Sequence, residues 1–339
     1  MTATMRALVL QEDAQERLKL VERPLPTLQP GQALVKMQAA ALNHRDQWCR
    51  MGMYPGLRYP SILGSDGCGV VVEVAEAAHQ HWVGKTVVMN PNVNWGENPD
   101  FQSFNYSILG MPTDGTLAEY LAIGVDRLYE KPAYLTVEQA AAVPLAGLTA
   151  YRAVFAKGKV AAGKSVLVTG IGGGVAIFAF QFAQAVGAKV YVTSGSEQKL
   201  QKMMEMGATF GVNYKNQGWD KELQKKEPFG FHTIVDSAGG EGFEALAKMI
   251  GPAGTMVVYG TTAGKPSPIN LPRLFFSQAT ITGSTMGNDQ EFADMLQLMT
   301  THQIVPLVSS VRPLAEGITA FDEMHAGQQF GKLVIRISE

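Results

Sequence analysis

The sequence predicts an α/β protein in which a β-rich part accompanies a parallel sheet covered by helices. Short β-rich segments, separated by Pro, Gly and polar clusters, fill the first third of the chain. Apolar runs then alternate with helical patterns from about residue 165, and strand-like segments return from about residue 304. Strands that alternate with helices are typical of βαβ units, which build a parallel sheet buried on both faces.

The length and composition of the chain indicate two folded domains. The chain has 339 residues, and one domain typically holds about 100–200 residues. Hydrophobic residues make up 46% and charged residues 17%, a balance typical of folded proteins and not of disordered ones. We expect a β-rich domain built from residues 1–130 and 301–339, and a parallel-sheet domain built from residues 131–300.

Charge, hydropathy and cysteine content exclude several functional classes. The net charge is -2 and no Lys/Arg run occurs, which argues against a nucleic-acid partner. No apolar run reaches the roughly 18–20 residues of a membrane span, and the N-terminal segment meets charge too early for a secretory leader. Cys49 and Cys68 form no CxxC pair, as expected in a reducing compartment. We therefore expect a cytoplasmic protein that acts on a small molecule.

The individual elements follow from local patterns. Thr136 precedes a run with polar residues in its first turn, which predicts a capped helix start. The segment Asn90–Gly115 is rich in Asn, Pro, Asp and Gly, and it predicts a long loop of the kind that is often functional. The predicted strands are Ala7–Leu10, Leu18–Glu22, Ala33–Ala41, Gly69–Val74, Val166–Thr169, Lys189–Thr193, Thr233–Val235 and Thr255–Tyr259, and the predicted helices include Val175–Val186 and Gln198–Met206.

A glycine-rich turn between a predicted strand and a predicted helix is the sharpest functional signal. In the segment Gly170–Ala176 the spacing is not the common G-x-G-x-x-G but G-x-x-G-x-x-A, carried by Gly170, Gly173 and Ala176. Glycines let the backbone approach a diphosphate, and the helix N-terminus offers it unpaired N–H groups and partial positive charge. We expect dinucleotide binding at the residues Gly170, Gly172, Gly173, Gly174 and Val175.

The end of the second strand of this unit favours NADP over NAD. NAD sites usually carry Asp or Glu there, to accept hydrogen bonds from the ribose hydroxyls. Here Ser194 and Ser196 follow the strand, and Lys199 can supply positive charge to a 2′-phosphate. Glu197 lies in the same turn and leaves the NAD alternative open.

With these motifs in hand, the chain resembles the medium-chain dehydrogenase/reductase superfamily, and within it the zinc-free quinone oxidoreductases. The resemblance extends over nearly the whole chain and implies a β-rich, GroES-like catalytic domain together with a doubly wound Rossmann domain. The segments that carry it are ALNHRDQWCRMGMYP, PSILGSDGCGVVVEV, DGTLAEYL, AAVPLAGLTAYRA, the glycine turn, GATFGVNY, VDSAGG, VYGTTAG and FGKLVI.

The resemblance implies further cofactor contacts. In this branch a tyrosine after the second nucleotide-binding strand contacts the adenosine phosphate, and Tyr214 matches it. A lysine near the C-terminus lies close to the cofactor, and Lys332 matches it. Gly260 and Thr261 match backbone near the nicotinamide ribose, and Thr149 matches a residue that faces the nicotinamide. Asp236, in VDSAGG, fits a functional or a structural carboxylate equally well.

The resemblance also implies that this chain holds no metal. Zinc alcohol dehydrogenases of the superfamily carry cysteine at the position of Asn43 and G-H-E at the position of Gly64-Ser65-Asp66. Catalytic zinc needs three strong ligands, usually thiolate, imidazole or carboxylate, and Asn and Ser are poor ones. The segment Asn90–Gly115, where the family's structural-zinc lobe would lie, contains no cysteine.

A zinc-free site is better suited to an activated C=C bond or a quinone than to an isolated carbonyl, because the Lewis acid is missing. Asn43 is the first candidate donor for the developing negative charge, with a structural loop asparagine as its alternative. Tyr54 is the second, because it matches a proposed proton donor of related enoyl-thioester reductases. The alternatives left open are an enoyl-thioester reductase, an alcohol or aldehyde reductase, and a non-catalytic NADPH-binding protein.

The segment Gln278–Ser284 predicts an edge strand late in the parallel sheet. The superfamily often pairs such strands across a two-fold axis, and an unpaired β-rich edge is otherwise an aggregation hazard. We therefore expect a homodimer.

Overall fold

The computed structural model describes residues 3–13 and 17–338 of the chain. Residues 1, 2 and 14–16 of the N-terminal segment considered above, and residue 339, lie outside the described residues. The chain divides into two compact units: unit 1 comprises Met1–Ala146 and Asn288–Glu339, and unit 2 comprises Gly147–Gly287. Unit 1 thus combines both ends of the chain, and it includes residues 131–146 and 288–300.

The chain begins mostly with strands, and strands alternate with α-helices from Ser165 to Arg336. The strands are β1 (Thr4–Leu10), β2 (Leu18–Pro24), β3 (Gln32–Ala41), β4 (Ser61–Ile62), β5 (Asp66–Val74), β6 (Thr86–Met89), β7 (Asn92–Val93), β8 (Ser107–Ile108), β9 (Tyr120–Gly124), β10 (Leu128–Glu130), β11 (Ser165–Val168), β12 (Lys189–Ser194), β13 (Phe210–Asn213), β14 (Phe231–Asp236), β15 (Ile250–Val258), β16 (Thr280–Gly283), β17 (Val308–Pro313) and β18 (Lys332–Arg336). The α-helices are α1 (His44–Met51), α2 (Val137–Ala141), α3 (Pro144–Tyr151), α4 (Gly174–Ala185), α5 (Glu197–Glu205), α6 (Trp219–Lys226), α7 (Phe243–Lys248), α8 (Leu271–Phe276), α9 (Asp289–His302) and α10 (Gly317–His325).

Unit 1 is built around the long strand β3. One sheet has the order β10-β6-β5-β3-β18-β17, and β9 also pairs with β3. The C-terminal strand β18 lies antiparallel to β3, with Val334 opposite Ala41 and Ile335 opposite Ala40. Alternate residues of β3, such as Val35 and Met37, are fully buried in the apolar core. The pairing of β3 with β18 explains why β-like sequence returns at the end of the chain.

Unit 2 contains a six-stranded parallel sheet with helices between its strands. Its order is β13-β12-β11-β14-β15-β16, so the chain starts in the middle and reverses direction between β11 and β14. This is the doubly wound order in which ligands bind at the carboxyl ends of the strands beside the reversal. Every residue of β11 is buried, as expected for a central strand. The predicted fold, a doubly wound sheet plus a β-rich domain, is confirmed.

Several predicted local features are also confirmed. The side chain of Thr136 accepts a hydrogen bond from Gln139 N and starts α2. β16 lies at the edge of the parallel sheet. The segment Asn90–Gly115 contains only the two-residue strands β7 and β8, and the rings of Trp95 and Tyr106 pack edge to face at 5.4 Å. Within the described residues, no helix is both long and apolar enough to span a membrane.

Candidate functional site

The glycine turn of unit 2 joins β11 to α4 at the point where the sheet reverses. Gly170 has φ +61° and Gly172 has φ +133°, backbone conformations that favour glycine. Gly170 N donates to Thr193 Oγ1 over 3.2 Å, and Ile171 N donates to Thr193 O over 2.8 Å. These bonds fasten the turn to the end of the neighbouring strand β12.

The N-terminus of α4 is open to a ligand. Its N-cap is Gly173, which offers no capping side chain, and a Cβ at Gly173 would meet nothing within 4 Å. Gly174 and Val175 follow in the first turn of α4 and are half-buried, and the small Ala176 is buried. The first N–H groups of such a helix need an external acceptor, and a diphosphate supplies one. The turn therefore fits a dinucleotide.

The predicted phosphate-contacting residues gather at the end of β12. The side chain of Lys199 folds over the glycine turn, because a Cβ at Gly172 would lie 3.1 Å from Lys199 Nζ. A Cβ at Gly195 would lie 2.7 Å from the Tyr214 hydroxyl and 2.9 Å from Lys215 Cε. Lys199 thus lies over the glycine turn, whereas Tyr214 and Lys215 lie over the loop after β12, so each loop has a cation that can contact a phosphate.

The two serines of this loop hold its shape. Ser194 is buried, and its hydroxyl donates to Ile171 O over 3.3 Å and accepts from Ser196 N over 3.3 Å. Ser196 is the N-cap of α5 and accepts from Lys199 N over 3.4 Å. Both serines therefore support the backbone of the loop. Because Ser196 Oγ acts as an acceptor when it caps α5, its hydroxyl proton can be donated to a ligand.

Glu197, which leaves NAD as an alternative in the sequence, lies at the start of α5. Its carboxylate accepts a hydrogen bond from Asn213 Nδ2 over 2.7 Å. The Lys199 side chain lies against Gly172 of the glycine turn, and burial, followed by repulsion from Lys202, lowers the pKa of Lys199.

Asp236 lies at the end of β14 and is fully buried. Its carboxylate accepts hydrogen bonds from Thr169 Oγ1 at 2.5 Å, from Gly239 N at 3.0 Å and from Ala238 N at 3.3 Å. These contacts tie the ends of β11 and β14 together and favour the structural alternative for this residue.

The other predicted cofactor contacts of unit 2 differ in their burial and backbone contacts; they are Gly260, Thr261 and Thr149. Gly260 follows β15, and a Cβ there would lie 3.0 Å from Ser237 O, so a side chain at this position would require the backbone at Ser237 to shift slightly. Thr261 is exposed in the same loop. Thr149 is buried within α3.

In unit 1, Asn43 and Lys332 belong to one buried polar cluster. Lys332 Nζ donates to Asn43 Oδ1 at 2.7 Å, to Asp66 Oδ2 at 2.8 Å and to Leu42 O at 2.8 Å. Asn43 Nδ2 donates to Asp66 Oδ2 at 2.9 Å, and Asp66 Oδ1 accepts from Leu145 N. The Lys332 ammonium thus donates three hydrogen bonds inside unit 1, and Asn43 retains one amide proton for another acceptor.

Arg45 and Tyr54 form a second cluster beside the first. Arg45 Nη1 donates to Ser65 Oγ at 2.7 Å and to Leu109 O at 3.0 Å, and Nη2 donates to Met111 O at 3.2 Å. Arg45 Nε donates to the Tyr54 hydroxyl at 3.3 Å. Although burial opposes its charge, Asp46 and Tyr54 raise the pKa of Arg45. Asp46 itself is fully buried, and that burial raises the pKa of its carboxyl group.

The donor set at the two positions that carry ligands in zinc relatives does not fit zinc. Asn43 Oδ1 already accepts from the Lys332 ammonium, and Ser65 Oγ already accepts from the Arg45 guanidinium. Both neighbours are cations, which oppose a divalent ion. Among the described residues, no group of three or more His, Cys, Asp or Glu side chains is arranged to hold a metal ion.

Comparison with known proteins identifies the family. Residues 29–133 match the family model of the alcohol dehydrogenase GroES-like domain, and residues 174–301 match the zinc-binding dehydrogenase model. The chain is 36% identical to the zinc-type alcohol dehydrogenase-like protein YogA of Leptosphaeria maculans, over 95% of this chain and 94% of that protein. The chain belongs to the medium-chain dehydrogenase/reductase superfamily.

The chain is also similar to members of the medium-chain dehydrogenase/reductase superfamily that are named alcohol dehydrogenase or quinone oxidoreductase. A crystal structure of an NAD-dependent alcohol dehydrogenase superposes with a TM-score of 0.93 at 34% identity, covering 98% of this chain and all of that one. The quinone oxidoreductase of Mus musculus is 28% identical, over 92% of this chain and 91% of that protein. The chain is therefore an oxidoreductase of this superfamily, and its relatives carry the names of both alcohol dehydrogenases and quinone oxidoreductases.

Two residues of these clusters escaped the sequence analysis. Lys215 directly follows Tyr214 in VNYK, so the sequence could have predicted that Lys215 lies near the proposed phosphate site. Arg45 stands in NHRD with no local signal, because two of its partners are the backbone carbonyls of Leu109 and Met111, far away in sequence.

Proposed function

We propose that this protein is an NADPH-dependent reductase that transfers hydride to a quinone or an α,β-unsaturated carbonyl compound without zinc. The observation that carries the proposal is the pair of cation-bound neutral oxygens, Asn43 Oδ1 and Ser65 Oγ, at the positions of zinc ligands in relatives. Reduction of an isolated carbonyl depends strongly on a Lewis acid, whereas reduction of a conjugated system spreads its charge and needs only hydrogen-bond donors.

The preference for NADPH rests on the loop after β12. Ser194 and Ser196 stand at the end of β12, where NAD sites usually carry Asp or Glu, and the carboxylate of the nearby Glu197 accepts a hydrogen bond from Asn213. Lys199, Tyr214 and Lys215 would surround the 2′-phosphate, with the hydroxyl of Ser196 as a further donor and Ser194 supporting the loop. The glycine turn, with Gly170, Gly172, Gly173, Gly174 and Val175, would hold the diphosphate, and Thr149, Gly260 and Thr261 would contact the nicotinamide half.

Lys332 matches a family cofactor lysine, and its role here would be indirect. Its ammonium donates to Asn43, Asp66 and Leu42, so it would orient the Asn43 amide toward the ligand. NADPH, when bound, supplies the hydride. Asn43, through its remaining amide proton, and Tyr54, through its hydroxyl, would stabilise the negative charge that develops on the substrate oxygen, and Tyr54 would deliver the proton.

The direct test is NADPH oxidation by the purified protein with 1,4-naphthoquinone and with trans-2-hexenal. We expect turnover with at least one of them, and faster turnover with NADPH than with NADH. Tight NADPH binding without turnover of either compound would instead support a non-catalytic NADPH-binding protein.

An alcohol or aldehyde reductase is the second candidate, because the names of several similar proteins contain alcohol dehydrogenase. Benzyl alcohol with NADP⁺, and benzaldehyde with NADPH, test this version. Crotonyl-CoA tests the enoyl-thioester version, for which the proton donor would again be Tyr54. A rate with benzaldehyde above those with the conjugated compounds would replace the primary proposal by the second.

We also propose that two copies of the chain associate through β16. This strand ends the parallel sheet, so one row of its backbone groups lacks a partner strand within the described part of the chain. Antiparallel pairing of β16 with its counterpart across a two-fold axis would satisfy those groups.

Cys49 and Cys68 are both free and buried, which supports the expected cytoplasmic location.

A further inference from the structure

Tyr54 is held by Arg45 through two kinds of contact. Arg45 Nε donates to the Tyr54 hydroxyl over 3.3 Å, a long hydrogen bond, and Arg45 Cζ lies 4.8 Å from the centroid of the Tyr54 ring. The second distance is within the range of a cation–π contact, so both the ring and the hydroxyl are restrained by the same guanidinium.

The chemistry of the guanidinium fixes the direction of the hydrogen bond. A guanidinium has five N–H donors and no acceptor, so the Tyr54 oxygen must accept from Arg45. The single hydroxyl proton of Tyr54 therefore points away from Arg45. Among residues 3–13 and 17–338, no hydrogen-bond acceptor receives this proton. Tyr54 is half-buried, so its hydroxyl can donate this proton to an acceptor from outside the chain.

Arg45 is itself rigidly placed. Three further hydrogen bonds, to Ser65 Oγ, Leu109 O and Met111 O, bring the donors in use to four of five, and only 7% of the residue is exposed. On the other side, Gly52 in the left-handed conformation ends α1 and turns the chain toward Tyr54. A side chain with so many fixed partners has little rotamer freedom left to lose, so it can define the position of Tyr54 closely.

We infer that Arg45 is a positioning residue that sets the Tyr54 hydroxyl as a hydrogen-bond and proton donor to the substrate oxygen. The inference rests on the proposed function and goes beyond it by assigning a role to Arg45. For an enone, the hydride adds to the β-carbon, the C=C π electrons move toward the carbonyl oxygen, and the resulting enolate takes its proton from Tyr54. The enol that forms tautomerises in water, losing its O–H proton and gaining a proton at the α-carbon. The tyrosinate regains a proton from water, so the sum is enone, NADPH and H⁺ giving saturated carbonyl compound and NADP⁺.

A double-mutant cycle tests this inference. R45K keeps the buried positive charge beside Asp46 but cannot donate to all four partners of the planar fork. We expect Y54F and R45K each to lower kcat with trans-2-hexenal by about tenfold to hundredfold, the scale of one hydrogen bond to a charged group, with KM little changed. In the Y54F background, R45K should cost less than threefold more, because its effect acts through Tyr54. R45Q repeats the cycle if R45K does not fold.

A binding readout complements the kinetics. 4-Nitrophenolate carries its charge on a conjugated oxygen, as an enolate does, and its absorbance reports binding in the presence of NADP⁺. We expect Y54F, R45K and the double variant to weaken its binding by similar factors. The matched control is Y59F, which removes the hydroxyl that accepts from Arg17 Nη1 over 3.0 Å, and which should change neither readout by more than twofold.

The outcomes separate the two claims. If Y54F leaves both kcat and phenolate binding unchanged, the proposed role of Tyr54 fails, and the role of Arg45 fails with it. If Y54F lowers both readouts but R45K costs the same factor in either background, Arg45 is only structural and the role of Tyr54 stands. A strongly non-additive cycle with an unaffected Y59F supports the inference.

Discussion

Lys332 donates a hydrogen bond to Asn43 Oδ1 over 2.7 Å, across a separation of 289 residues in the chain. The same ammonium forms an ion pair with the fully buried Asp66, and Lys332 itself is only 4% exposed. Beside them, Arg45 and Asp46 form a second buried pair of opposite charges. Within unit 1, two buried cations thus balance two buried carboxylates, and the oxygens of Asn43 and Ser65 are bound by those cations.

Removal of Lys332 should strongly destabilise the protein. K332M leaves the Asp66 carboxylate buried without its cation, and breaking a buried pair in this way typically costs about 3–5 kcal/mol. Urea unfolding followed by circular dichroism measures the loss. R6M is the matched control, because Arg6 forms an exposed ion pair with Glu119 and such pairs contribute about 0–1 kcal/mol. Equal destabilisation by the two variants would contradict the assigned role of the buried pair.

Lys199 should decide between NADPH and NADH. K199M removes the ammonium that lies over Gly172, and we expect NADPH affinity to fall by about tenfold to hundredfold, the scale of a charge-assisted hydrogen bond. NADH affinity should change by less than twofold, because NADH lacks the 2′-phosphate. Titration of nicotinamide fluorescence measures both. An equal loss for both cofactors would place Lys199 elsewhere on the nucleotide.

The pH dependence of NADPH binding should report the same group. Burial, and then Lys202, lower the pKa of Lys199 from its ordinary value of 10.5. The ammonium is therefore lost at a lower pH than in a free lysine, and NADPH affinity should fall as the pH rises through that pKa, while NADH affinity stays level. K202M removes one cause of the shift and should move the fall to higher pH. A pH profile identical for the two cofactors would contradict this assignment.

Both cysteines should be unreactive in the folded protein. Burial raises the pKa of Cys49 and of Cys68 to about 12, and only the thiolate reacts readily with disulfide reagents. We expect no rapid reaction with DTNB at mildly alkaline pH, and two thiols per chain after addition of guanidinium chloride. A fast native-state reaction would mean that one of these side chains becomes exposed.

The sequence predicted the fold well because its evidence is periodic and local. Apolar runs that alternate with helical patterns predicted β11, β12, β14 and β15, and the edge segment predicted β16, whereas β13 was not among the predicted strands. Strand-like sequence from about residue 304 predicted the return of strands, observed as β17 and β18. The glycine turn was also readable, because one segment contains the strand, the glycines and the helix. The buried clusters were not, since Lys332 and Asp66 are 266 residues apart and come together because β18 and β5 both pair with β3. Arg45 was missed because backbone carbonyls leave no signature in a sequence.

The edge strand β16 leads to a prediction about assembly. Light scattering should give twice the chain mass of 36.5 kDa. G283P should shift the mass toward that of the monomer. Ser284 N donates to Val258 O of β15, so the neighbouring N–H of Gly283 faces the open edge, and proline lacks that N–H. A monomeric mass for the unaltered protein would refute the proposed homodimer.

The central claim is reduction of a conjugated acceptor by NADPH without zinc. The measurement that tests it most directly is NADPH oxidation with trans-2-hexenal and with 1,4-naphthoquinone by protein that has been treated with a chelator and analysed for metal content. We predict that the chelated protein retains its full rate and that added zinc does not raise it. A rate that disappears on chelation and returns with one equivalent of zinc would contradict the claim.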